Sequence, residues 1–535
     1  MLARRAVLLA TAIFAATGVW WGLPGSESWA ADAISPRGAG LGAIVETYAP
    51  GHHHIYPPLH MLLLTVLALP VLAWGAATAG TSPAALEAAL IQPGPMTAVE
   101  VLARLVAVAM TVGIVHFTMR LHADPDRPLV APLAGLAAAT VGPLAYYGKT
   151  GNLDVPALFW ATACLAELAR LTRDRAVTDP RRAAVYAVLA ILTKDQIAGV
   201  LLLPILAVSA RWARERRLLA RPTARAVATA AALFLVVSGA LVNPTGWAAR
   251  LRELFGPASR TWEGYPSTAA GTVELVRDAV LAVPRLSSWP MFALALAGLV
   301  IALRRRDRLD ALLPALGALS FTLTFTLGAR RTEDRFLLAQ AVLVLPYAGA
   351  AMGAILARAR PAGLAIAALA IAASLLGVAS VEATLLADAR YDAERWLAAL
   401  PPGTTVEVYG GPKFLPRLPA NLVVTRVGTD PIDARSHLPH VSEVVDPVMD
   451  PEARRPRVIV LSSEFSHAVG PASPATPHGV RAYVDAASHR FFDDLTNERL
   501  PYRRALRAEC TLPWPLGCRR IHGSTGEPLW IYERR

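Results

Sequence analysis

Apolar stretches long enough to be membrane helices recur through the first 386 residues, separated by short segments rich in arginine. A helix crosses the hydrocarbon core with about 20 apolar residues, because every backbone polar group must be satisfied internally there. The pattern predicts an α-helical multi-pass protein of about eleven spans, at 6–23, 98–119, 129–147, 155–169, 183–193, 196–210, 226–242, 289–303, 311–328, 336–357 and 362–386. Composition agrees: 54% of the 535 residues are hydrophobic and 17% charged, whereas soluble domains are nearer about 25% charged. A wholly cytosolic enzyme is therefore excluded. A net charge of +12 would suggest nucleic acid in a soluble chain, but here the placement of the charge matters more than its sum. The only lysines are Lys149, Lys194 and Lys413, so nearly all the basic charge is arginine. Three cysteines are too few for a disulfide scaffold or a thiolate metal cluster.

The arginines fix an orientation, because basic loops stay cytoplasmic. The block 58–75 is apolar enough to span and decides the outcome. If it lies in or dips into the outer leaflet, the inner segments hold 21 arginines in 53 residues, against 11 Arg and Lys in the 136 residues of the outer loops. If it crosses, Arg214–Arg217 falls outside. The reading is eleven crossings, N-terminus inside and tail outside. The first segment has 18 apolar residues, longer than the usual core of about 7–15 in a cleaved signal, and reads as a retained anchor. Trp20, Trp21 and Trp29 read as an interfacial aromatic belt.

From residue 387 to 535 the composition changes to that of a soluble α/β domain outside the membrane. Thr405–Tyr409, Leu422–Val427 and Val458–Ser462 alternate as strands do, and Ala389–Leu400 and Phe491–Arg507 read as amphipathic helices. Cys510 and Cys518 lie close together there, and a disulfide is favoured over two free thiols in an oxidising compartment. Cys164 sits within a span and reads as packing.

Charged residues at span ends are costly and mark function. The predicted outer ends collect Asp32, Glu46, Lys149, Asp154, Lys194, Asp195 and a cluster from Arg330 to Arg335, with Arg104 inside the second span. Cations so placed hold the phosphate of a lipid-linked donor through charge-assisted bonds. A neighbouring carboxylate deprotonates an acceptor hydroxyl or amine as it attacks a sugar's anomeric carbon. The residues alone give a class of reaction and no substrate. Asp154 also stands where a helix N-cap belongs. His52, His53, His54 and His60 are too crowded to share one zinc ion, and no metal ligand set is assigned. Arg330 and Arg331 suit snorkelling to head groups equally well. Glu253, Glu263 and Tyr265 lie in the 243–288 loop, which suits a cover over donor or acceptor.

Five stretches in order resemble the GT-C polyprenol-dependent glycosyltransferases of family 39, the protein O-mannosyltransferases and lipid A aminoarabinose transferases. They are Ile55-Tyr-Pro-Pro-Leu-His, Ala103-Arg-Leu-Val, Tyr147-Gly-Lys-Thr-Gly-Asn-Leu-Asp-Val-Pro, Ile191-Leu-Thr-Lys-Asp-Gln, and Arg335-Phe-Leu-Leu leading to Val344-Leu-Pro-Tyr-Ala-Gly. The resemblance implies a GT-C membrane module over 1–386, with a non-crossing helix at 58–75 in the first outer loop. It implies sugar transfer from a polyprenyl-phosphate donor at the outer face of a prokaryotic plasma membrane, with inversion. By position, Asp32 matches the family's catalytic base, although Asp32-Ala33 replaces its usual Asp-Glu. Asp154 matches a second acid near the donor phosphate or a metal. Lys194, Arg104 and Arg335, with Lys149, match or adjoin cations near the phosphate. Glu46, Tyr56 and Tyr265 are candidate sugar or acceptor contacts. No cofactor is required, and a divalent metal is left open. The expected partners are the lipid-linked sugar, membrane lipid and an acceptor, with no nucleic acid. Two other classes share many of these features. A flippase of lipid-linked sugars would show mid-membrane charges and an inverted repeat, and an inactive relative would bind the donor without transferring it.

Overall fold

The protein's structure, a computed structural model, describes residues 2–30, 33–34, 41–174, 176–256, 264–305, 308–429, 437–462, 486–519, 521 and 525–535. Two compact units emerge. One comprises Met1–Val19, Ala39–Leu67 and Leu102–Ala379; the other comprises Trp20–Gly38, Ala68–Val101 and Ser380–Arg535. The second unit thus takes in two pieces of the expected first outer loop along with the C-terminal domain.

Among the described residues, six helical stretches are long and apolar enough to cross a membrane, or up to eight if each of two bent pairs is one span. Pro93–Leu121, Asp154–Arg173, Leu309–Ala329 and Asp334–Arg358 are four of them. The expected number of eleven is not reached on length alone, for local reasons. The first helix stops at Ala16 after 15 residues, and Gly18 beyond it takes a left-handed φ of 74°. The 129–147 block breaks into Val130–Ala139 and Gly142–Tyr147, with Pro143 opening the second piece. Arg181–Thr193 and Arg221–Val237 are helices of 13 and 17 residues. The 58–75 block is two helices, Leu59–Leu67 and Leu69–Ala79, that meet at 63°, with Pro70 in the first turn of the second. A second bent pair, Ala269–Arg285 and Trp289–Arg304, meets at 111°.

The C-terminal region folds around a six-stranded mixed sheet ordered β3-β2-β1-β4-β6-β5. Its strands are β1 (Thr405–Tyr409), β2 (Val423–Gly428), β3 (Val441–Val445), β4 (Val458–Leu461), β5 (Tyr502–Ala508) and β6 (Leu529–Arg534). The first four pair in parallel, while β6 runs antiparallel to β4 and to β5. Alternation builds two cores: Val458 and Val460 join Leu397 and Ile531 on one face, and Ile459 and Leu461 join Tyr409 and Phe491 on the other. The expected helix over Phe491–Arg507 is corrected. The helix is Ala486–Thr496, and after Pro501 the chain becomes β5, whose outward arginines gave it a helix-like charge pattern. Cys510 and Cys518 form a disulfide, and Cys164 is buried and free.

The tryptophans correct a second expectation. Trp20 is exposed, as a belt residue is, but Trp21 and Trp29 are buried at 1% and 2% exposure. Trp21 donates its indole N–H to Asp388 at 3.0 Å. Trp29 packs on Tyr391 with ring centres 5.1 Å apart, and Arg390 lies over its ring at 4.2 Å. Arg417 adds a further cation at 5.5 Å and holds the carbonyl of Leu23. A cation over an indole face is attracted by the ring quadrupole, so the 20–30 segment is riveted to the helix that begins at Ala389.

Candidate functional site

Lys194 projects from a corner. The Arg181–Thr193 helix ends, Lys194 is extended at φ −156°, and Asp195–Ile197 makes one 3₁₀ turn before the Ala198–Arg214 helix. Opposite it, the Asp154–Arg173 helix begins. The side chain of Asn152 accepts the Asp154 backbone N–H at 2.5 Å. The N-cap position is Leu153, so the capping role that sequence allowed for Asp154 is corrected: Asp154 sits in the first helical turn with its carboxylate turned to another partner. Lys194 Nζ donates to Asp154 Oδ1 at 2.5 Å, with both side chains largely buried. Asp154 Oδ2 is buried and has no hydrogen-bond partner among the described residues. A carboxylate in the first helical turn also faces the positive end of the helix dipole.

Lys194 and Asp154 line a small, partly open cavity that also receives Arg335, Gln196 and Phe321. Arg335 enters from the start of the Asp334–Val344 helix. Its guanidinium lies over the Phe336 ring at 4.4 Å, with Nε 3.4 Å from Glu333. Phe321 stands where its helix passes into the π-helical turn Thr322–Thr326, and its ring stacks on Phe325 at 5.0 Å. Such π-turns break helical regularity and are frequent at functional sites. Beside Lys194, Asp195 pairs with Arg250 of the Pro244–Leu254 helix. Sequence reading missed Arg250, because it lies on an ordinary amphipathic turn with no apolar frame to make its charge conspicuous.

Arg104 and Lys149 occupy a different place. Both are buried at 1% exposure. Arg104 donates to the carbonyl of Val19 at 2.6 Å, and Lys149 to those of Phe14 and Thr17 at 3.0 and 2.6 Å. Cations at the C-terminal end of a helix satisfy its last carbonyls and oppose its dipole. Gly148 packs closely on the Pro93–Leu121 helix, since a Cβ there would come within 2.4 Å of Thr111 Oγ1.

The remaining candidates lie in loop contacts. Glu46 pairs with His54 at 2.8 Å and His53 with Glu253 at 2.6 Å, so these histidines answer to separate carboxylates. Tyr56 lies near His54, with ring centres 6.2 Å apart. Asn243 holds the same loop by donating to the carbonyls of Thr47 and His52 at 3.0 and 2.8 Å. Tyr265 donates its hydroxyl to Asp278 at 3.0 Å and shares a bond of 2.9 Å with Thr332. Burial, with Asp278 beside it, pushes that phenol up to about 12. Arg330, at a left-handed φ of 51°, grips the carbonyls of Tyr265 and Pro266. Asp32 and Glu263 lie outside the described residues. Among the described residues, no three His, Cys, Asp or Glu side chains gather as a metal-binding group.

No family model and no curated protein matches the sequence. Solved structures do. ArnT from Cupriavidus metallidurans bound to undecaprenyl phosphate superposes with a TM-score of 0.50 and 13% identity, covering 99% of this chain and 97% of its own. The archaeal oligosaccharyltransferase AglB from Archaeoglobus fulgidus, in complex with an inhibitory peptide and a dolichol-phosphate, aligns over 99% of this chain and 88% of its own, at a TM-score of 0.44 and 12% identity. The likeness to ArnT establishes the fold, a GT-C-type helical membrane module with a small C-terminal sheet domain.

Proposed function

We propose that this protein is a membrane glycosyltransferase that moves a sugar from a polyprenyl-phosphate donor to an acceptor hydroxyl or amine, with inversion. The observation that carries the reading is the cavity where Lys194 and Arg335 meet Asp154, in a chain folded like a protein solved with undecaprenyl phosphate. Two cations beside one cavity suit a phosphate, and a carboxylate oxygen without a partner suits a sugar hydroxyl.

In the reaction, the acceptor attacks the anomeric carbon and its proton passes to a carboxylate, assigned to Asp32. The bond from that carbon to the phosphate oxygen breaks, and the polyprenyl phosphate leaves with the electron pair. Lys194 and Arg335 neutralise the charge that develops on it, the kind of electrostatic help that most lowers such barriers. Asp154 holds Lys194 in position and keeps Oδ2 for the sugar. The arginine-poor side of the chain faces outward, so the reaction belongs at the outer face of a prokaryotic plasma membrane, with the N-terminus cytoplasmic and residues 387–535 outside.

The experiment is transfer from labelled polyprenyl-phosphate sugars to envelope extract by the purified protein. Wild type should transfer and Asp32→Asn should not. Undiminished transfer by Asp32→Asn removes the base assignment, and donor binding without transfer by wild type makes the chain an inactive relative.

A further inference from the structure

A second basic cavity lies one helix length from the first. Asp154 opens the Asp154–Arg173 helix and Arg173 closes it. Twenty residues at about 1.5 Å each put them roughly 30 Å apart, one hydrocarbon thickness. The Asp334–Arg358 stretch runs between the same two cavities, with Arg335 lining the first and Tyr347 and Ala350 the second. The two cavities therefore stand at opposite membrane faces.

The second cavity, partly open, is walled by Arg127, Arg173, Arg305 and Arg308 and by one carboxylate, Asp124. The arginines are unequally engaged. Arg173 bonds Asp310 at 2.5 Å and the carbonyls of Arg120 and Leu121. Arg308 forks onto the same Asp310 at 3.0 and 2.9 Å. Arg305 gives Nη1 to Asp124 at 2.9 Å. The Arg127 side chain makes no hydrogen bond or ion pair among the described residues. The four arginines thus have the bonded carboxylates of Asp124 and Asp310 between them, with Asp126 in electrostatic reach of Arg308. The rest of the lining includes His122 and Tyr347, with an apolar part made by Val130, Ile301, Ala302 and Ala350.

We infer that this cavity binds the phosphate of an anionic phospholipid head group, at the face opposite the sugar-transfer site. Guanidinium forks match phosphate oxygens, and basic recesses between spans at head-group depth take anionic lipid. The apolar residues beside the arginines favour lipid over a soluble phosphate compound, since they suit the glycerol and acyl end of a head group. The assignment is independent of the proposed transfer reaction.

The test uses the full-length protein in nanodiscs of phosphatidylcholine with increasing phosphatidylglycerol, bound lipid being read by native mass spectrometry. Wild type should retain phosphatidylglycerol selectively. Arg127→Gln with Arg305→Gln should weaken that retention about 30-fold, from roughly fivefold per arginine near a membrane surface. Lys194→Ala should retain it as wild type does. Melting in lipid-free detergent checks the fold; if Arg305→Gln lowers it, Arg127→Gln alone decides, having no bond to lose among the described residues. Equal retention of the two lipids, or equal retention by wild type and variant, overturns the inference. So does displacement by millimolar inorganic phosphate, which would make the cavity a site for a soluble phosphate compound.

Discussion

Lys194 and Lys149 are lysines of the same unit, both nearly buried, both in short polar breaks between apolar runs, yet the partners seen among the described residues differ. Lys194 meets a carboxylate at the edge of a cavity. Lys149 meets two main-chain carbonyls at the end of the first helix. A buried ammonium needs compensation in either case. Where the partner is a carboxylate whose second oxygen is unbonded among the described residues, the pair still has chemistry to offer a ligand. Where carbonyls at a helix end need a donor, the cation also completes that end.

The largest expected effect is at the first lysine. Lys194→Ala should lower sugar transfer about 10²- to 10³-fold, the usual cost of removing a preorganised charge partner of a leaving group. Initial rates with saturating donor measure it, and a loss below tenfold would undo the contrast. Lys149→Met should act on stability instead, by about 2–4 kcal/mol, because two buried carbonyls lose their donor. Thermal melting in detergent should fall while the donor KM stays put; the reverse outcome would place Lys149 with the donor phosphate after all. Arg335→Gln should raise the donor KM about tenfold, since one charge-assisted phosphate contact is lost and the amide still packs on Phe336.

The smallest effect concerns the sheet domain at alkaline pH. Burial raises the phenols of Tyr409, Tyr502 and Tyr532, that of Tyr502 to about 12. The unfolded chain releases these protons near pH ~10 and the folded one later, so the unfolded state binds fewer protons and stability falls as pH rises through that window. Below pH ~10 the contribution is fully present. Denaturant unfolding of the full chain, followed by tyrosine absorbance, should show the decline, and Tyr409→Phe should flatten it.

The charges that stand out against apolar sequence were the legible ones. Asp154, Lys194 and Arg335 each end a hydrophobic run, and the structure puts the three around one cavity. Arg104 and Lys149 carry the same signature, because a sequence displays a charge at a span end but not whether a carbonyl or an anion meets it. Arg250 gave no signal for the opposite reason, lying among polar neighbours. In the sheet domain, the buried central strands β1 and β4 read clearly, since β4 is apolar throughout and β1 alternates Val406 and Val408 with Thr405 and Glu407. The edge strand β5 did not, because solvent on one side allows Arg503, Arg504 and Arg507 to imitate an amphipathic helix.

The rivet at Trp29 has a consequence for how such proteins can be recombined. Asp32 follows Trp29 by three residues, a tether of at most about 11 Å, and Trp29 is held by Arg390, Tyr391 and Arg417. A chimera that exchanges the sequence after residue 387 while keeping its own first loop would separate the indole from the two guanidiniums and the phenol that grip it. The exchangeable part is therefore discontinuous: residues 20–30 must travel with the tail.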